Sequence, residues 1–274
     1  MLRLFRQIRQ RLLKDHPPGQ ARQTGRFGKY MLYAIGEILL VVIGILIALQ
    51  VDSWNEERKV RFEEQILLGQ LKDDYRANLE QLDSKIATRK VLIASSKELL
   101  AAFEDPDSAH KDSVISWLAN LGLTVTYDPI DNDLVASGKI NIIQNQKLKT
   151  LLTKWSTDVI QVQEVEAIYL NGQHYINMPV MNKMGLGRAL DKAMYEKVAD
   201  LSNFLLNRDG WIPYDFKKSR LEPNLETLLN NPELEGIVSN SILINEIVNS
   251  ESFTLRKQIL EILDLLEELH IKKQ

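Results

Sequence analysis

Two kinds of hydrophobic pattern divide the chain. From Ile38 to Leu49 every residue is apolar or glycine, a continuous run without a polar face. After Trp54 the apolar residues recur at intervals instead. Leu68, Leu71, Tyr75, Leu79, Leu82, Ile86, Ile93, Leu100 and Phe103 return about every 3.5 to 3.6 residues, which places them on one side of an α-helix. That spacing predicts one long helix over 54–104, continuous with the apolar run and stopped by Asp105-Pro106-Asp107-Ser108.

Further along, the pattern predicts a helix over 111–121, a short one over 131–137 closed by Gly138, and a long one over 145–176. The last carries Leu148, Leu151, Leu152, Trp155, Val159, Val162 and Ile168 on a broad apolar face. Residues 187–207 are helical in pattern up to the Asn207-Arg208-Asp209-Gly210 turn, and 211–223 are loop-like. Asn231-Pro232-Glu233 puts an N-cap, a first-turn proline and an early acid in order, which starts a helix over 232–247. A final helix over 252–271 carries Leu255, Ile259, Ile262, Leu263, Leu266 and Leu269. Leu121 to Pro129 alternates as a strand does, but no second strand-like stretch exists to pair with it. No helix can bury its stripe alone. The expected fold is all-α: an N-terminal transmembrane helix followed by an extracytoplasmic antiparallel helical bundle with long helices.

Residues 30–51 hold a single charge, Glu37, and at a rise of about 1.5 Å per residue they reach about 33 Å, enough to cross a bilayer core. Tyr30 and Tyr33 mark one interface and Trp54 the other. Charge gives the direction. Residues 1–29 carry eight Lys or Arg against one acid, Asp15, whereas the chain after Trp54 is net acidic. The positive-inside rule puts the N-terminus in the cytoplasm. The expected organisation is a basic cytoplasmic segment over 1–29, a membrane helix over 30–51 and an extracytoplasmic domain over 52–274. A cleaved signal peptide needs a shorter apolar core than this and a better small-x-small site than Ala48-Leu49-Gln50. Residues 1–14 are Arg-rich, with Phe5, Ile8 and Leu12 on one helical face, and suit either a helix lying on anionic lipid or a solvated basic tail.

Glu37 is costly in an apolar span, which makes it a functional hypothesis by default. Ala34, Glu37, Val41, Gly44 and Ala48 follow a 3-4-3-4 spacing and share one stripe. Gly44 and Ala48 form a small-xxx-small pair that permits close helix approach. The stripe is either a homo-oligomer seam with a protonatable group on it, or a surface whose glutamate reaches for the headgroups.

The run from Lys29 to Arg58, with Tyr33-Ala34-Ile35-Gly36-Glu37 at its start, resembles the N-terminal signature of a family of uncharacterised single-pass membrane proteins of Bacteroidota. Residues Asp131 to Leu151, with the Ser137-Gly138-Lys139 turn, resemble that family's middle region more loosely. The resemblance implies the bacterial inner membrane, with the C-terminal domain in the periplasm, and brings no catalytic residues.

Chemistry is sparse. The chain has no cysteine, which removes thiolate catalysis, disulfides and Cys-based metal sites. The acidic balance after Trp54 gives no footprint for nucleic acid. His16, His110, His174 and His270 are scattered, without metal-ligand spacing. Ser108-Ala109-His110-Lys111 matches Ser-x-x-Lys but lacks the partner motifs of penicillin-recognising enzymes. Met178, Met181 and Met184, with His174 nearby, suit either a soft-metal site or core packing. No catalytic residue, cofactor or metal site is assigned. The expected role is a membrane-anchored interaction, scaffold or ligand-sensing domain that contacts the bilayer, itself and a protein partner. An unrecognised periplasmic hydrolase or a methionine-rich metal binder is the alternative.

Overall fold

The computed structural model describes residues 25–130, 133–196, 214 and 216–271. The chain forms two compact units, Met1–Val60 and Arg61–Gln274. Every regular element among the described residues is helical: α1 (Gly25–Glu104), α2 (Lys111–Leu121), α3 (Gln146–Gly172), α4 (Met178–Lys183), α5 (Gly187–Glu196), α6 (Leu225–Leu229) and α7 (Pro232–Ile271). The all-α expectation holds.

In the first unit, residues 34–60 of α1 are exposed along their whole length, the apolar run included. Among the described residues, α1 is the one helix long and apolar enough to cross a membrane.

In the second unit α1, α3 and α7 form the bundle. Their buried positions recur three and four apart. On α7 they are Leu234, Val238, Ser241, Asn245, Val248, Ser252, Leu255, Ile259, Ile262 and Leu266; on α3 they are Leu148, Leu152, Trp155, Val159, Val162, Glu166 and Tyr169. The bridging pairs fix the directions. Lys72–Glu267 (3.1 Å), Asp83–Arg256 (2.6 Å) and Lys97–Glu246 (2.9 Å) set α7 antiparallel to α1. Lys147–Glu261 and Gln161–Glu251 set α7 antiparallel to α3. By contrast, Glu64 accepts from the Gln144 N–H, the Tyr75 and Trp155 rings meet edge-on at 5.0 Å, and Arg89 meets Glu166. So α1 and α3 run in the same sense, where a wholly antiparallel bundle was expected. Residues 105–145 make this possible by carrying the chain back to the start of α3.

Two apolar cores result. One joins Leu68, Leu71, Tyr75 and Leu82 of α1 to Leu152, Trp155 and Val159 of α3 and to Ile259 and Ile262 of α7. The other joins Leu99 of α1 to Val114 and Leu118 of α2, Met181 of α4, Leu190 of α5, Leu228 of α6 and Val238 of α7. Between them lies a layer of buried polar residues, among them Arg89, Glu166, Asn245, Asn249 and Ser252.

Several predicted boundaries move. The expected break between 247 and 252 is absent, and α7 runs unbroken over 232–271. Asn249 and Ser252, the buried ends of its polar run, face the polar layer and keep the helical period without apolar residues. Residues 133–138 form a turn and not a helix, with Ser137 N–H on Asp133 C=O and Gly138 at φ 73°, followed by the 3-10 turn Lys139–Asn141. Helix α3 ends at Gly172 and continues through a π turn, Gln173–Asn177, into α4. Pro179 explains the wide turn: it has no N–H for the carbonyl four residues back, and its ring would clash there. Helix α5 ends its described part at Glu196; the rest of the expected 187–207 helix, with its closing turn, lies outside the described residues, as does the basic segment through residue 24.

Helix α4 closes with a Schellman motif. Leu186 N–H reaches Met181 C=O and Gly185 N–H reaches Asn182 C=O, both at 3.0 Å, with Gly185 at φ 79°. A Cβ on Gly185 would meet the Leu221 carbonyl oxygen at 2.5 Å, so both conformation and space require glycine.

Candidate functional site

The stretch Leu123 to Ile130 is extended and lies against α1 and α3. Its alternation is that of a strand. Val125 and Tyr127 point inward, while Thr124, Thr126, Asp128 and Ile130 are exposed. The strand pattern was legible in the sequence, but its partners are side chains of helices. Asn78 of α1 accepts from Ile130 N–H (2.7 Å) and donates to Ile130 C=O (3.1 Å). Gln81, one turn on, does the same for Asp128 at 3.0 and 2.9 Å. From α3, Glu166 accepts from Tyr127 N–H (2.8 Å) and Gln163 donates to Tyr127 C=O (2.9 Å). Pro129 has no N–H to satisfy. Two carboxamide pairings thus reproduce on α1 what a β-ladder would supply, satisfying groups that burial would otherwise penalise.

Tyr127 anchors this strap. It is buried, and its hydroxyl donates to the Asn78 carbonyl at 3.3 Å. Burial, aided by the nearby Glu166 charge, pushes its phenol well above the ordinary tyrosine range.

Below the strap sits the polar layer. Arg89 and Glu166 pair directly, each side chain 1% exposed. Arg89 also donates to Ser252 Oγ (2.9 Å) and Asn249 Oδ1 (3.4 Å) of α7. One guanidinium therefore ties α1 to both α3 and α7. Burial pushes the Glu166 carboxyl up, against the pull of Arg89, the Tyr127 N–H and Lys85. Burial likewise pulls the Arg89 guanidinium down, against Glu166. Next to them Tyr169 donates to the Leu121 carbonyl (2.7 Å) and accepts from Gln173 (2.6 Å). Its phenol is pushed up to about 12, chiefly by burial. Thr124 and Val125 of the strap roof a cavity of about 10 Å³ over Arg89, Glu166 and Tyr169, room for a single water.

The residues singled out from sequence fall elsewhere. Ala34, Glu37, Val41, Gly44 and Ala48 lie in α1 and are all exposed, with nothing within 4 Å of a Cβ placed on Gly44. Ser108 donates to the Asp105 carbonyl, while Lys111 pairs with Glu222 at 2.7 Å, so the Ser-x-x-Lys residues serve separate local structures. Met181 is core, Met178 is 37% exposed and Met184 packs beside the second core. Exposed His174 bonds the Leu170 carbonyl, and exposed His110 precedes α2. His16 and the side chain of His270 lie outside the described residues. Among the described residues no group of three or more His, Asp or Glu is placed to hold a metal.

Sequence reasoning missed the strap and its clasps. The available signal was polar residues at i, i+3 spacing, Asn78 with Gln81 and Gln163 with Glu166, flanking apolar stripes. Such pairs are ordinary on solvated helix faces, and only tertiary placement separates the two cases. No curated protein and no solved structure matches the chain. A domain of a family of unknown function, DUF6090, is found over residues 37–154, from Glu37 of α1 through α2 and the strap into the first turns of α3.

Proposed function

We propose that the protein is a single-pass, membrane-anchored helical module whose bundle works by interaction with other proteins, as a scaffold or a ligand-sensing domain. One observation carries this reading: a long, uncovered apolar helix surface over residues 34–51 on a chain whose second unit has its own cores. Contiguous apolar surface on that scale belongs in lipid or against a partner. The basic residues of 1–29 and the acidic balance beyond Trp54 support a cytoplasmic N-terminus and a periplasmic bundle, and the resemblance of Lys29–Arg58 supports a bacterial inner membrane. The stripe Ala34, Glu37, Val41, Gly44 and Ala48 supports self-association through the membrane helix.

Two measurements test the reading. Alkaline phosphatase fused after Gln274 is expected to be active; a stable but inactive fusion overturns the orientation. In a membrane dimerisation reporter carrying residues 25–60, Gly44→Ile is expected to weaken association, and Glu37→Leu to weaken it by about 1 kcal/mol. Association of Gly44→Ile equal to the parent removes the seam.

A further inference from the structure

The strap is held as a bound peptide is held. Each of Tyr127, Asp128 and Ile130 has both its N–H and its C=O engaged by a side chain of α1 or α3. Carboxamides in this arrangement read main chain and are indifferent to side-chain identity, as in strand addition. Two strap side chains point into the groove, Val125 and Tyr127, and selectivity rests on the larger, the buried Tyr127 ring with its hydroxyl on the Asn78 carbonyl. The outward residues Thr124, Thr126 and Asp128 leave the groove's contacts to the main chain, Val125 and the Tyr127 anchor. The three long helices also meet without the strap, through Tyr75–Trp155 and Arg89–Glu166 between α1 and α3, and through Asp83–Arg256 and Lys97–Glu246 between α1 and α7.

We propose that the groove between α1 and α3 is a recognition site for an extended segment of a partner protein bearing a tyrosine anchor, and that residues 123–130 occupy it in cis and yield it to such a segment. The bonds the strap gives up are remade by the incoming main chain, so the exchange leaves no buried N–H or C=O unpaired. Departure of Thr124 and Val125 also uncovers the Arg89–Glu166 pair they roof, which couples occupancy of the groove to the layer joining all three helices. The proposal rests on the interaction reading, to which it gives a partner chemistry. It stands on the bundle alone, so membrane topology or the seam can fail without it.

The test uses the full chain in mild detergent and a labelled synthetic peptide of residues 121–130, Leu-Gly-Leu-Thr-Val-Thr-Tyr-Asp-Pro-Ile. In hydrogen exchange, the amides of Tyr127, Asp128 and Ile130 are expected to exchange about 100-fold faster than those of α1 between Leu82 and Arg89, the mark of local opening. The peptide is expected to bind the Tyr127→Ala chain about tenfold more tightly than the parent chain, whose own strap competes. Changing the tyrosine of the peptide to alanine, or adding Asn78→Ala and Gln81→Ala to the Tyr127→Ala chain, is expected to weaken binding by about tenfold or more. Strap amides that exchange only as slowly as α1 overturn the proposal. So does a folded Tyr127→Ala chain that fails to bind the peptide. If Tyr127→Ala loses its helical signal, the strap is part of the bundle's stability, and the proposal falls on that result.

Discussion

Glu166→Leu removes the carboxylate on which the polar layer depends. The substitution leaves the Arg89 guanidinium buried with only Ser252 and Asn249 as partners. Breaking a buried pair from one side costs about 3–5 kcal/mol. The Tyr127 N–H loses its acceptor as well, and an orphaned buried donor costs about 1–3 kcal/mol more. A loss of about 4–8 kcal/mol is comparable with the whole stability of many domains. Arg89→Met alone leaves a buried carboxylate. Burial already raises the folded-state pKa of Glu166, and losing the guanidinium raises it further. A raised folded pKa gives stability that is full below the ordinary value of 4.5 and is lost as pH rises through the folded value. Arg89→Met is therefore expected to be less unstable near pH 4.5 than at pH 7. In the double variant Arg89→Met/Glu166→Leu no buried charge remains. Its cost falls to about 1–3 kcal/mol, mostly the Tyr127 N–H, so the double variant is more stable than Glu166→Leu. Urea unfolding of the full chain in mild detergent, followed by circular dichroism at 222 nm, measures all four species as a double-mutant cycle. Costs that simply add, or a Glu166→Leu loss below about 1 kcal/mol, would show that the pair is not the buried tie described above.

Two further outcomes are expected. Gly185→Ala forces a positive φ on an alanine and drives its Cβ against the Leu221 carbonyl at 2.5 Å; it is expected to cost about 1–3 kcal/mol in the same unfolding assay, and a neutral result would refute the backbone argument. Tyr169, raised by burial from 10.0 to about 12, contributes stability that is full below pH 10 and is lost as pH climbs through 12, about 3 kcal/mol in all. Tyr169→Phe is expected to flatten that part of the alkaline stability profile, and a profile of unchanged slope between pH 10 and 12 would count against the burial of the phenol.

The sequence by itself determined the local elements. The run Ile38–Leu49 has no polar face, so its apolar helix surface follows from composition alone. The stop of α1 at Asp105-Pro106 and the starts of α3 at Asn145 and α7 at Asn231 are capping and proline chemistry, readable within a few residues. Tertiary structure decided what those signals leave open. A period of three and four says which face is buried and nothing about which helix covers it or in which direction, so the same-sense pairing of α1 with α3 was not legible. Asn249 to Ser252 suggested a break because polar residues interrupt an apolar stripe. Arg89, 160 residues from Asn249 in sequence, bonds Asn249 and Ser252 and makes those two positions interior. Leu121 to Pro129 gave the alternation of a strand correctly, but a strand is defined by what satisfies its main chain. Here Asn78, Gln81, Gln163 and Glu166 do so, and only the folded arrangement of two helices brings their carboxamides and carboxylate within reach of the extended segment.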